Sequence, residues 1–209
     1  EVRVVFTSSV ALAIHSSGYD LARRVVLHPL GYFSFREYVA IRFGETLRRI
    51  TFDELLSRKL DSAHLRASRF FPDYLLGGLL PFALEEPNPM PLLQATVEKI
   101  IHRDIPATLR LHTDELPILE KLVAFVGRSG IDGINYSSLS QNLGITKYKA
   151  EQYVAAFEAA FLLKRVFPAG TNVLREPKVL MMPPLRLLHR DASEAMGGLR
   201  EDYFAMAMA

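Results

Sequence analysis

Glu1-Val2-Arg3-Val4-Val5-Phe6-Thr7-Ser8-Ser9 opens the chain, and its reading decides the fold. The nearly continuous β-branched and aromatic run at 2–6 predicts a short strand buried on both faces, the kind that lies inside a parallel sheet. Thr7, Ser8 and Ser9 at its end suit either of two roles. They can cap residues 10–15 as a helix, or face a ligand beyond the carboxyl end of the strand, where open α/β sheets bind. A second short strand is expected at 25–27. After Pro29 comes a helix with apolar residues Phe35, Tyr38, Val39 and Phe43, stopped by Gly44. Strand, helix, strand, helix over residues 1–49 describes the last part of an α/β sheet. With an apolar strand at the first residues and no initiator Met, the chain reads as one that begins in mid-domain.

Composition sets the outer limits. The 209 residues suit one or two domains, with 49% hydrophobic and 23% charged residues, as in ordinary globular chains. With no cysteine, a disulfide framework and a thiolate metal site are excluded. Twenty-five Lys and Arg against 23 Asp and Glu leave a net charge of +2, so any attraction for nucleic acid must come from a local patch. No apolar run reaches the roughly 20 residues of a membrane span, and the opening residues are unlike a signal peptide. Cytoplasm is the expected compartment.

Residues 50–112 read as helical throughout, with helices opening at Thr51-Phe52-Asp53-Glu54, over 61–71 and over 92–103. Gly77-Gly78 and Glu86-Pro87-Asn88-Pro89-Met90-Pro91 interrupt them, and the second is the best boundary signal in the chain. Thr113 is the expected cap of a helix over 114–126, with Leu116, Leu119, Leu122, Val123 and Val126 on one face. A turn at 127–133 leads to a short helix over 137–143, which Gly144 stops. Thr146 then caps a third helix, running to about residue 161 with Ala150, Val154, Phe157 and Phe161 as its buried stripe. Two strands, 162–167 and 173–182, enclose the turn Pro168-Ala169-Gly170-Thr171-Asn172. Three helices and a hairpin in this order over 113–182 predict a winged helix. Residues 183–209 then carry Pro183-Pro184, the break Gly197-Gly198 and a helix over 199–208.

Candidate chemistry is sparse. No Gly-x-x-x-x-Gly-Lys-Ser/Thr occurs, so the chain by itself has nothing to cradle a triphosphate. The histidines at 15, 28, 64, 102, 112 and 189 lack ligand spacing, and no metal site is expected. His102-Arg103-Asp104 reads as a solvated charge cluster, and Gly-x-Ser-x-Gly is absent. The winged-helix stretch offers Lys147 and Lys149 at the start of its third helix and Lys164 and Arg165 in its hairpin, joined by Arg175 and Lys178. Against Glu151, Glu158 and Glu176 they leave a modest positive excess. Such a patch suits phosphate contact, and the same fold equally serves protein or interdomain contact.

Several blocks, in this order, resemble the stretch after the Walker B strand in prokaryotic AAA+-like P-loop ATPases. They are Val4-Val5-Phe6-Thr7-Ser8-Ser9, Asp20-Leu21-Ala22-Arg23-Arg24-Val25, and Pro29-Leu30 with Phe33-Ser34-Phe35-Arg36-Glu37-Tyr38. Tyr74-Leu75-Leu76-Gly77-Gly78-Leu79-Leu80-Pro81 is similar to that group's Tyr-x-x-x-Gly-Gly-x-Pro, and Pro177-Lys178-Val179 to its Pro-Lys-Ile. The resemblance implies a parent with a P-loop core, a helical lid, a winged helix and a carboxy-terminal domain similar to restriction endonucleases, begun here at Leu199-Arg200-Glu201-Asp202-Tyr203-Phe204. It implies that Thr7 and Ser8 sense the terminal phosphate or its attacking water, with Ser9 beside them, and that Arg24 stabilises transition-state charge. Ser8 stands where the group has Gly, Ala22-Arg23 precede Arg24 in place of Gly, and Met181-Met182 stand where an acid often follows.

The fold class expected is therefore mixed α/β and mostly α. Residues 1–49 would be the remnant of a parallel-sheet ATPase core, 50–112 a helical lid, 113–182 a winged helix and 183–209 the start of a further domain. ATP and Mg are implied for the intact parent, with none expected on this chain alone. DNA or a protein is the implied partner of the winged helix. An oligomer is compatible with this reading, and a membrane is not expected. The alternative is a non-enzymatic winged-helix DNA-binding regulator or protein-interaction module.

Overall fold

The structure, a computed structural model, describes residues 26, 28, 30–130, 133–170 and 175–208. The strand expected at 2–6, the hydroxyls Thr7, Ser8 and Ser9, and Arg24 lie outside the described residues, as does the parallel sheet they imply. The described chain is mixed α/β and mostly α, and its sheet is a single antiparallel pair. Of the strand expected at 25–27 only Val26 is described, and it has no strand pairing and is 79% exposed.

Two compact units emerge, one within Pro29–Pro91 and one from Leu92 onward. The first spans the 49/50 boundary expected from sequence. Its helix α1 (Phe35–Phe43) starts at a Ser34–Glu37 capping box and stops at Gly44 in the left-handed conformation. Two sequence blocks that lie 40 residues apart meet against it. The Tyr74 hydroxyl donates to the Phe33 carbonyl at 2.6 Å, and the Phe33 N–H donates to the Leu79 carbonyl at 3.0 Å. The Phe35 ring sits edge-on to both Phe71 and Tyr74, with centroids 5.3 and 5.4 Å away. Gly77 holds φ 142, a conformation that side chains disfavour, inside a π-turn at Tyr74–Gly78. Gly78 then presses on Tyr38. Both glycines read from sequence as interruptions thus let the backbone close on the aromatic core.

Between these blocks, α2 (Phe52–Leu56) and α3 (Ser62–Ala67) are gathered by Arg48. Its guanidinium donates to both oxygens of Glu54 at 3.0 and 3.1 Å, to Asp61 at 3.2 Å and to the Lys59 carbonyl at 3.4 Å. Glu54 and Asp61 in turn serve as the capping partners of α2 and α3. The helix expected over 61–71 therefore ends early, at Ala67, and continues as 3₁₀ and single α turns to Asp73.

In the second unit, α4 (Met90–Lys99) passes through a π-turn at Ile100–Asp104 into α5 (Ile105–Leu109). Pro106 explains the widening: it cannot donate to the carbonyl four residues back and its ring crowds it. Helices α6 (Leu116–Arg128), α7 (Tyr136–Leu143) and α8 (Lys147–Ala159) follow. The apolar stripe of α6 is buried at Leu119, Leu122, Val123 and Val126. Asn135 caps α7, Gly144 ends it at φ 66, and Thr146 caps α8. Strands β1 (Leu163–Val166) and β2 (Lys178–Met181) pair antiparallel, with Leu163 opposite Met181 and Val166 opposite Lys178.

A 3₁₀ turn (Leu185–Leu188) and α9 (Ala192–Ala207) complete the chain in this same compact unit. The helix expected from residue 199 begins seven residues earlier and runs through Gly197-Gly198. The reason is local: a Cβ on Gly198 would lie 2.7 Å from the Arg186 Nε, so glycine here makes room for a buried guanidinium.

A Cβ on Gly78 would stand 2.6 Å from the Tyr38 ring. Gly78→Ala is expected to lower stability by about 1–3 kcal/mol through overpacking, measured by urea unfolding. Gly133→Ala, where a Cβ meets nothing within 4 Å, is its control.

Candidate nucleic-acid interface

The four cations singled out as nucleic-acid ligands all lie on α8 and β1, and three of them are engaged by carboxylates of the same unit. Lys147 opens α8 and ion-pairs with Glu176. Glu176 also accepts the Ser137 N–H at 2.8 Å and the Ser137 hydroxyl at 2.6 Å, so it bonds the first turn of α7 to the first turn of α8. Burial pushes its carboxyl up, but Lys147 and Ser137 prevail and hold it below the ordinary range.

Lys149 turns the other way. Its ammonium donates to Glu115 Oε1 at 2.6 Å, and the Tyr153 hydroxyl, one turn on, donates to the same oxygen at 2.6 Å. The other Glu115 oxygen accepts the His112 N–H at 3.1 Å. Lys149, Tyr153 and that N–H together bring the Glu115 carboxyl down to about 2. Burial, then Glu115, pushes the Tyr153 phenol up to about 12.

Arg165 on β1 donates through Nε to Glu158 of α8 at 2.5 Å, and its backbone N–H reaches the other Glu158 oxygen at 2.9 Å. Lys164 alone of the four has no carboxylate partner among the described residues, a condition shared by Arg175. Besides Lys147, itself paired with Glu176, α8 leaves to solvent Tyr148 (68% exposed), Glu151 and Gln152, an aromatic, an acid and an amide. Sequence reading counted Glu158 and Glu176 but not Glu115, and paired none of them, because the contacts span 7 to 39 residues and cross between elements.

A second cluster went unnoticed in the sequence. Arg186 is 3% exposed and Asp202 2%. The guanidinium makes a two-bond contact with the carboxylate, Nε to Oδ2 at 2.5 Å and Nη2 to Oδ1 at 3.1 Å. Its Nη1 reaches the Val126 and Ser129 carbonyls at 3.1 and 3.0 Å, and Asp202 accepts the Met181 N–H at 3.2 Å. Burial pushes the Asp202 carboxyl up, to about 6, against the opposing pull of Arg186. Four of the five guanidinium donors are met inside the unit and both groups are buried, so this reads as a structural pair. Among the described residues no group of three His, Asp or Glu is placed to hold a metal ion, and no helix is long and apolar enough to cross a membrane. Thr7, Ser8, Ser9 and Arg24 lie outside the described residues.

The described fold and site define a mostly helical α/β chain whose three helices and hairpin are cross-linked by its own carboxylates. Residues 68–183, more than half of the chain, match the model of a family described as Domain of unknown function (DUF8612), and the chain belongs to that family. It is also similar to an archaeal protein, the Uncharacterized protein MJ1637 of Methanocaldococcus jannaschii, with 26% identity over 193 residues. That match covers 86% of this chain and 41% of the relative, so the chain spans less than half the length of the protein it matches.

Two outcomes are expected. Because the Glu115 carboxyl lies below its ordinary value of 4.5 in the folded chain, its contribution is fully present above that pH and fades as pH falls towards about 2. Carboxyl ¹³C NMR titration should place Glu115 lowest among the glutamates of the module, and Lys149→Ala should raise it. Asp202→Leu, which leaves Arg186 buried and uncompensated, should cost about 3–5 kcal/mol, and Arg186→Met with Asp202→Leu markedly less. Urea unfolding of both variants measures the difference.

Proposed function

We propose that this chain is the lid and winged-helix portion of an ATP-driven conformational switch, and that its winged helix contacts protein rather than DNA. The observation that carries the second half is the pairing of Lys147, Lys149 and Arg165 with Glu176, Glu115 and Glu158. A cation already paired must give up its carboxylate before it can neutralise a phosphate, and the counterion release that drives DNA affinity shrinks accordingly. Around α8 the remaining surface, Tyr148 with Glu151 and Gln152, has the aromatic and amide character of a protein contact.

The first half rests on the resemblance of the Phe33–Tyr38 and Tyr74–Pro81 blocks to AAA+-like ATPases. Their mutual packing supports it, since the two blocks build one aromatic core in Pro29–Pro91. The length of the archaeal relative, well beyond this chain, agrees with a parent that supplies a nucleotide site elsewhere. Under this reading Thr7 and Ser8 sense the bound phosphate, Ser9 flanks them, Arg24 stabilises the transition state, and ATP with Mg is the parent's cofactor. Duplex DNA contact is the second reading, favoured only by Lys164 and Arg175.

One experiment has two arms. Fluorescence anisotropy with a duplex of about 20 base pairs at about 50 mM salt is expected to show no saturable binding; saturable binding lost in Lys164→Ala/Arg175→Ala would establish the DNA reading instead. In a longer protein that carries this chain, Arg24→Ala is expected to slow ATP hydrolysis at least about tenfold, and equal rates would remove Arg24 from the mechanism.

A further inference from the structure

The surface organised by Arg48 has a composition that the core beside it does not need. Helix α2 buries none of its residues. Phe52, Leu55 and Leu56 stand at i, i+3 and i+4, so they share one helical face, and Phe52 is 72% and Leu56 67% exposed. Leu60 and Leu65, further along the chain, are also exposed, Leu65 at 60%. Arg48 holds α2 through Glu54 and α3 through Asp61, and the His64 ring contacts the Arg48 carbonyl, so the two short helices are fixed to one hub. A soluble chain seldom leaves several large apolar side chains together unless something covers them.

Charge identifies the occupant. Residues 48–69 hold six Lys and Arg but only the acids Asp53, Glu54 and Asp61. Two of those acids, Glu54 and Asp61, are consumed by Arg48. Arg49, Arg58 and Lys59 remain exposed with no carboxylate partner among the described residues. The geometry points to this face as the docking surface for an acidic amphipathic helix of a partner protein. Its apolar side chains meet Phe52, Leu55 and Leu56, and its carboxylates meet the surrounding cations.

Other occupants fit less well. A second copy of the chain would bring the same cations against themselves. Nucleic acid phosphates would face leucines.

The test uses the full chain and a fluorescent synthetic helix of about 18 residues, with Leu at i, i+3, i+4 and i+7 and Glu elsewhere. Saturable binding is expected, weakened at least about tenfold by Phe52→Ser/Leu56→Ser, by Arg49→Glu/Arg58→Glu, and by raising salt from about 50 to about 500 mM. The substituted side chains are exposed, and far-UV circular dichroism checks that both variants keep their helices. The proposal is overturned if the acidic helix fails to bind, if the same peptide with Lys for Glu binds equally well, or if neither double variant changes the affinity. It is likewise overturned if phosphatidylglycerol vesicles, duplex DNA or a second copy of the chain occupies the face while the acidic helix does not.

Discussion

A guanidinium and a carboxylate lie out of water at the point where four elements of the second unit converge. Arg186 spans from the last carbonyls of α6 to Asp202 on α9, while Asp202 reaches back to the Met181 N–H on β2. Removing two ions from water is costly, and their attraction offsets the cost only when nearly every polar direction is satisfied. That demand fixes the surroundings: Gly198 must lack a Cβ to admit the guanidinium, α6 must end with its carbonyls turned inward, and α9 must present Asp202 rather than a neighbour. The pair thereby sets the position of the C-terminal segment on the three-helix module. A hydrophobic replacement of both partners could match its stability, whereas removal of either one alone leaves a buried, uncompensated charge.

The same economy of charge runs through the module. Glu115, Glu158 and Glu176 each take one basic residue and further donors: Tyr153 and the His112 N–H, the Arg165 N–H, and the Ser137 N–H and hydroxyl respectively. The carboxylates hold helix to helix and helix to strand, and what solvent meets around α8 is correspondingly closer to neutral. In Pro29–Pro91 the balance goes the other way: one arginine, Arg48, absorbs the two useful acids and leaves its neighbours cationic.

Where elements are local, the sequence announces them. The openings at Thr51 and Thr146, the stops Gly44 and Gly144, and the stripe of α6 depend on residues three or four apart, and periodicity exposes them. The failures share a cause too. Gly197-Gly198 looks like a helix break until Arg186 is known to lie against it, and the 92–103 helix looks self-contained until Pro106 is seen to widen it into a π-turn. Arg186 and Asp202 resemble any two surface charges, since nothing within one turn of either marks them as buried. The candidate DNA patch was legible as a set of cations, but its neutralisation was not, because partners such as Glu115 and Lys149 lie 34 residues apart.

The two-stranded ribbon carries one last implication. In an antiparallel pair, alternate N–H groups point away from the partner strand. On β2 those of Val179 and Met181 are taken by the Ile134 carbonyl and by Asp202, and on β1 that of Arg165 is taken by Glu158. Three of the outward-pointing donors are thus spent within the molecule. Each donor so engaged is one fewer for an invading strand to use, which works against the runaway self-association to which bare ribbons are prone.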